Sequence, residues 1–334
     1  MVRYGMARTR TAIIYADSGV GKTTQLYFLA KDYLQENPGR TIRLISCSGG
    51  GWQPFEDSGM IERGEVTALD LTKIAVDGKQ ALASIKALSI GNWPVAVTKN
   101  GNLANGLQHL SIADMCKPTA KDLAEVGMYL FEDMTQLARL LLVHLGGKEE
   151  GTGFKHAWKI EEGDYSVGGL QEGHYGLVQN EVYKIMCMGF ASISTLNIDR
   201  FVATALVGKG EDKKTKTATY GPKSAGDATT PEIPSWFQEC FHLDVDTYLL
   251  ESADGTKVLK EDRRGWWQKH MDADTGVAYP AKVRFMPEHM HMLERKWPQG
   301  FIPLESTAGL DKFYKFSRKV AQAVKEGKMK QKET

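Results

Sequence analysis

Cysteine is scarce in this chain. Cys47, Cys116, Cys187 and Cys240 are scattered along 334 residues with no C-x-x-C pair. That spacing excludes a disulfide framework or a zinc site as the organising device and points to free thiols in a reducing cytosol. Charge of one sign is also missing. The net charge is +1, so the whole molecule offers no field for a polyanion, and any nucleic-acid contact must come from local patches. No apolar run approaches membrane-spanning length, and Met1 to Gly5 has no signal-peptide core, so the expected location is the cytoplasm with no membrane partner. There is no internal repeat. The close histidine pair, His289 and His291, stands at i, i+2, which does not share a helix face; these read as surface residues. What remains is ordinary globular composition, 42% hydrophobic and 25% charged, in a chain long enough for one large core with an appendage or for two domains.

The informative stretch is residues 13–24, Ile-Ile-Tyr-Ala-Asp-Ser-Gly-Val-Gly-Lys-Thr-Thr. An apolar run leads into a small-residue loop and then into a helical pattern. This is the layout of a phosphate-binding loop, G-x-x-x-x-G-K-S/T, except that Ala16 stands at the first glycine. In such a loop the backbone N–H groups of Asp17, Ser18, Gly19, Val20, Gly21, Lys22, Thr23 and Thr24 cradle phosphate oxygens. Lys22 reaches the β- and γ-phosphates, and the Thr23 hydroxyl holds Mg²⁺. The plain alternative is a glycine-rich turn before an ordinary helix.

Along the chain, apolar strands alternate with helical patterns. A helix is expected over 24–35, ended by Asn37-Pro38-Gly39. Strands are expected over 41–46 and 66–71, and a helix over 74–88. Residues 89–118 read as turns and short elements. Thr119 is the candidate N-cap of a helix over 119–125, with Asp122 in its first turn. An apolar strand over 126–131 then delivers Glu132-Asp133, followed by a helix over 135–145. Residues 146–176 read as a flexible excursion, 177–193 as an amphipathic helix, 201–207 as a buried strand and 208–230 as a polar loop. A short helix over 233–241 and a strand over 242–250 complete the pattern. This alternation predicts an α/β fold with a mostly parallel sheet and helices on both faces. From about Glu251 the texture changes: Asp254-Gly255 is a hairpin signal, and a basic helix and tail follow.

A phosphate loop needs an acid nearby to position Mg²⁺, and Glu132 and Asp133 are the candidates. One acid of such a pair can handle the metal while its neighbour polarises water. Strand alternation lets only one of them point at the loop, and residue type alone leaves the two roles open. The competing reading is a strand-end pair that caps the next helix.

Phe131-Glu132-Asp133-Met134-Thr135-Gln136-Leu137 resembles the hydrophobic-hydrophobic-Asp-Ser-Leu-Thr-x-Leu segment of a RecA-like ATPase family common in bacteriophages. Phe201-Val202-Ala203-Thr204-Ala205-Leu206 is similar to that family's sensor strand. Tyr220 to Gly226 and Ile233-Pro234-Ser235-Trp236-Phe237 are similar to its Gly-Pro-x-x-x-Gly and Pro-x-x-Phe stretch. The resemblance implies a RecA-like P-loop ATPase domain over 1–250, with 251–334 as a C-terminal extension. It also implies ATP and Mg²⁺ as ligands, and places the family's metal acid at Glu132. Two departures stand out: Glu132-Asp133 replaces Asp-Ser, and Ser46-Cys47-Ser48 lies where RecA-like proteins often carry a glutamate.

The family resemblance further implies a homo-oligomer, ring or filament, working on single-stranded DNA in phage-type recombination or replication beside a phage DNA-binding protein, in the host cytoplasm. Lys209, Lys213, Lys214 and Lys216 are the candidate DNA contacts; the alternative is a solvated loop. Arg263-Arg264 beside Trp266-Trp267 can stack on bases, reach a neighbour's γ-phosphate, or simply cover the tryptophans of a hairpin. Trp52 and Phe55, beside glycines 49–51, are either ligand-lining or packing residues. Two other readings stay open: an ATP-switched oligomeric assembly protein without DNA binding, and a small-molecule kinase, for which no arginine-rich lid is evident.

Overall fold

The apolar strands of the sequence assemble edge to edge into one large sheet. A computed structural model describes residues 10–48, 51–71, 78–94, 107–108, 115–146, 172–190, 198–211, 218–224, 233–251, 257–271, 278–279 and 283–285. In chain order its elements are β1 (Arg10–Ala16), α1 (Lys22–Glu36), β2 (Thr41–Ser46), α2 (Gln53–Asp57), β3 (Val66–Asp70), α3 (Gly78–Ser89), β4 (Trp93–Pro94), β5 (Leu107–Gln108), β6 (Met115–Cys116), α4 (Ala120–Glu125), β7 (Val126–Glu132), α5 (Met134–Gly146), α6 (Glu172–Tyr183), a π-helix (Lys184–Gly189), β8 (Arg200–Glu211), β9 (Ala218–Pro222), a 3-10 helix (Ile233–Trp236), β10 (Glu239–Glu251), β11 (Lys257–Met271), β12 (Ala278–Tyr279) and β13 (Val283–Phe285).

The main sheet runs β12-β11-β10-β1-β8-β7-β2-β3-β5, with β13 on β11 and β9 on β8. Every pairing from β10 through to β5 is parallel. From β11 outward the pairings are antiparallel. The fold is therefore α/β with a mostly parallel sheet. β8 separates β1, which carries the phosphate loop, from β7, which carries the acids.

Side-chain alternation builds a core on each face. Ala12, Ile14, Ile42, Leu44, Met128 and Leu130 pack under Leu26, Leu29 and Tyr33 of α1. Ile13, Tyr15, Ile45, Tyr129, Phe131 and Phe201 pack on the other face under α5, α6 and the π-helix. There Phe190 stacks on Phe201 at 5.5 Å and tilts against Phe131 at 5.5 Å, bridging β7 and β8. α4 carries the expected N-cap, and the structure completes it as a capping box: the Thr119 hydroxyl accepts from Asp122 N–H at 3.1 Å, and the Asp122 carboxylate accepts from Thr119 N–H at 2.8 Å.

Some expectations shift. The loop expected over 208–230 is partly strand, because β8 runs to Glu211 and pairs antiparallel with β9 from Val207↔Pro222 to Glu211↔Ala218. The helix expected over 233–241 is a single 3-10 turn, since Glu239 to His242 pair with β1 instead. The helix expected from Leu177 starts at Glu172 and passes into a π-helix at Lys184. The short helix α2 has no sequence expectation behind it; Pro54 at its start makes it legible afterwards. Around the Asp254-Gly255 signal, β10 and β11 pair from Glu251↔Lys257 to Cys240↔Lys269. The connection between them, the basic helix and the tail lie outside the described residues. No helix among the described residues is long and apolar enough to cross a membrane.

Candidate active site

β1 ends at Ala16, and the chain bends through Asp17 to Gly21 before α1 begins at Lys22. The bend needs two left-handed residues, and Gly19 (φ 80) and Gly21 (φ 108) supply them without a Cβ clash. At Gly19 a Cβ would meet nothing within 4 Å, so its backbone conformation rather than crowding calls for glycine there. α1 starts on Gly21 with no side-chain cap and no acid in its first turn. Its positive end is left for an anion.

Lys22 is 9% exposed. Its ammonium donates to the carbonyls of Ala16 at 3.1 Å and Asp17 at 2.9 Å, curled back into its own loop. Burial pulls its pKa down, against the attraction of Asp133, Glu132 and Asp17 in that order.

The acids arrive from β7. Glu132 has the parity of Met128 and Leu130, which face α1, so alternation aims it at the loop. The Thr23 hydroxyl donates to Glu132 Oε1 at 2.5 Å. Asp133 follows a cis peptide bond and behaves differently. Its Oδ1 accepts from Thr135 N–H at 2.8 Å at the start of α5. Burial raises its pKa, opposed by that N–H and by Lys22 and reinforced by Glu132. Of the two readings open in the sequence, Asp133 takes the helix cap and Glu132 meets the loop. Thr23 and Glu132 give hard oxygen donors beside the uncapped start of α1, a set whose chemistry fits Mg²⁺ with a triphosphate.

Sequence reasoning missed the neighbours of Glu132. β2 and β3 deliver Ser46 and Asp70 to the same row, by the registers Ser46↔Glu132 and Ser46↔Asp70. All three are buried. The signal was present: each is the polar residue that ends its strand, and only the strand order reveals that they are adjacent. On β8, Thr204 is wholly buried, and its hydroxyl has no hydrogen-bond partner among the described residues. Thr135 ties this edge together: its hydroxyl donates to Lys223 O at 2.7 Å and accepts from Leu206 N–H at 2.9 Å.

Other sequence candidates lie elsewhere. Lys209 sits within β8 opposite Tyr220, not in a loop. Lys213, Lys214 and Lys216 lie outside the described residues. Arg263 and Arg264 lie on β11, opposite Val245 and Asp244. Trp52 and Phe55 belong to the core under α1, so they are packing residues. Cys47, beside the acids, is buried, and burial raises its thiol pKa. Among the described residues no cluster of three or more His, Cys, Asp or Glu side chains could hold a metal by itself.

No family model and no curated protein matches this chain. Among solved structures it is similar to the KaiC-like protein of the hyperthermophilic archaeon Pyrococcus horikoshii, at 9% identity over 82% of this chain and 83% of that one. The TM-score is 0.39, and at that value the likeness carries no argument.

Proposed function

We propose that this chain is a RecA-like P-loop ATPase. One observation carries the reading: the Thr23 hydroxyl of the loop meets the strand-end carboxylate of Glu132 at 2.5 Å, with Lys22 buried alongside. Backbone N–H groups from Asp17 to Thr24 receive the phosphate oxygens of ATP, backed by the positive end of α1. Lys22 exchanges the Ala16 and Asp17 carbonyls for the β- and γ-phosphates. Thr23 and Glu132 would hold Mg²⁺, which when bound would offset the negative charge of the phosphates. Asp133, fixed at the start of α5, accepts a hydrogen bond from the attacking water. The water oxygen bonds to the γ-phosphorus as the bond to the bridging oxygen breaks; ADP and inorganic phosphate leave, and the water's proton passes by way of Asp133 to the released phosphate. Glu132 takes the metal side because it touches Thr23; Asp133 takes the water side because Thr135 N–H fixes its carboxyl at the start of α5. The test is ATP turnover by the wild-type protein and by Lys22→Ala; a variant as active as the wild type overturns the assignment.

The finer part of the proposal is that turnover serves single-stranded DNA in a homo-oligomer, in phage-type recombination or replication. In support, the β8–β9 ribbon carries Lys209 and leads to Lys213, Lys214 and Lys216, and it is rooted by Thr135 two residues from Asp133. Arg263 and Arg264 are assigned to contact with a neighbouring subunit or the DNA. ATP turnover with and without single-stranded DNA tests this half, and no stimulation together with no binding at low salt removes it. The net charge of +1 favours a second reading, an ATP-switched assembly protein without DNA. Light scattering with and without ATP, in the absence of DNA, separates the two.

A further inference from the structure

We propose that Ser46 and Ser48 are positioning residues that hold Glu132 in the orientation its metal-side role requires; this rests on the ATPase reading above. Ser46 ends β2 and is wholly buried, in register with Glu132 and with the same parity as Leu44 and Ile42 on the α1 face. Its hydroxyl donates to Glu132 Oε2 at 2.9 Å. The Ser48 hydroxyl donates to the same oxygen at 2.9 Å. Ser48 N–H in turn donates to Ser46 Oγ at 3.3 Å, and Cys47 N–H donates to the Glu132 carbonyl. The turn after β2 is thus fastened both to the backbone and to the side chain of Glu132. Gly51 closes over the carboxylate so tightly that a Cβ there would overlap it.

The division of labour between the two oxygens is the point. Oε2 is taken by two hydroxyls from the neighbouring strand, while Oε1 faces Thr23. Glutamate has one more rotatable bond than aspartate, and a carboxylate free to turn about it loses orientation. The serine pair removes that freedom. Hydroxyls do so without a positive charge, so they orient the carboxylate without competing with a cation for it. A lysine or arginine in their place would neutralise the acid. Outer partners of a metal-side carboxylate act in this way, and losing them typically weakens metal affinity 10–100-fold.

The experiment measures the Mg²⁺ concentration giving half-maximal ATP turnover, and ATP affinity by calorimetry with Mg²⁺ and with EDTA. In Ser46→Ala/Ser48→Ala the Mg²⁺ requirement rises about tenfold or more. Saturating Mg²⁺ restores most of the turnover, and ATP affinity in EDTA matches the wild type. Ser46→Thr/Ser48→Thr, which keeps both hydroxyls, recovers the wild-type Mg²⁺ dependence. In a Glu132→Ala background the two serine changes shift nothing further. Ser48→Ala alone, at an exposed position, keeps the fold and shifts the requirement by about fivefold, the worth of one hydrogen bond. An unchanged Mg²⁺ requirement in both serine variants, with Lys22→Ala still inactive, overturns the positioning role and leaves the ATPase reading standing. A folded wild type that binds no ATP in Mg²⁺ overturns both.

Discussion

At the amino-terminal edge of the parallel strands, Tyr33 donates to Asp199 at 2.5 Å, and Arg40 lies 3.5 Å from the same carboxylate. Arg40 also donates to Val126 O at 3.1 Å, and Arg200 lies 3.5 Å from Glu36 and 5.5 Å above the Tyr33 ring. Gly127 is pressed so close that a Cβ would overlap the Tyr33 hydroxyl and the Arg40 guanidinium. At the carboxyl-terminal edge the buried charges are Asp70, Glu132, Asp133 and Lys22. There Lys22 bonds to loop carbonyls, and burial disfavours the charged forms of both Lys22 and Asp133. Opposite charges close on one another at the first edge. At the second, one ammonium and an uncapped helix start lie beside buried acids, and Lys22 pairs with backbone carbonyls rather than with a carboxylate. The first edge stabilises the fold; on the ATPase reading proposed above, the second would receive the nucleotide and its metal.

That contrast predicts unequal responses to mutation. The largest is Lys22→Ala, which lowers ATP turnover by on the order of a hundredfold or more. The same variant leaves the thermal midpoint of the unliganded protein unchanged or higher, because it removes a desolvated ammonium. A large fall in midpoint would mean that Lys22 belongs to the scaffold. Glu132→Gln and Asp133→Asn follow, each losing turnover but by different routes. Glu132→Gln raises the Mg²⁺ requirement, and Asp133→Asn does not; identical Mg²⁺ titrations would remove the assignment of roles.

Asp133 adds a pH signature. Its pKa is raised by burial, so between the ordinary aspartate value and the folded value the native state holds more protons than the unfolded one. Stability of the unliganded protein therefore falls as pH rises through that window and stays lower above it. Asp133→Asn flattens the slope, as denaturant titrations at several pH values can show. The acid limb of turnover, where Asp133 must shed its proton to accept from water, disappears in the same variant. The smallest effects on function belong to the opposite edge. Gly127→Ala destabilises by about 1–3 kcal/mol through overpacking, and Tyr33→Phe by about 1 kcal/mol, with ATP affinity unchanged in both. A change in ATP affinity in either variant would break the division between the edges.

Much of this was legible in the sequence because it depends on local rules. The loop at Asp17 to Thr23 reads from two glycines, a lysine and a threonine between a strand and a helix. The N-cap at Thr119, with Asp122 in the first turn, reads from residue type and position, while their reciprocal bonding appears only in the structure. The apolar run before Glu132 announces a buried strand with acids at its end. What depends on strand order was hidden. Ser46 and Ser48 are 86 and 84 residues from Glu132 in sequence, and only the parallel β2–β7 pairing makes them neighbours. The assignment of Glu132 over Asp133 at the loop needed the face each residue occupies. Lys209 looked like loop because Gly208, Gly210 and the charges around it have low strand propensity; pairing with β9 outweighs that preference.

The central claim is that Asp17 to Thr24 form a cradle for the triphosphate of ATP. Isothermal calorimetry of the folded wild-type protein with ATP and Mg²⁺ tests it most directly, with Lys22→Ala as the partner experiment. Saturable binding by the wild type is expected, weakening when EDTA replaces Mg²⁺ and lost in the variant. Absence of binding by the wild type, or equal binding by Lys22→Ala, contradicts it.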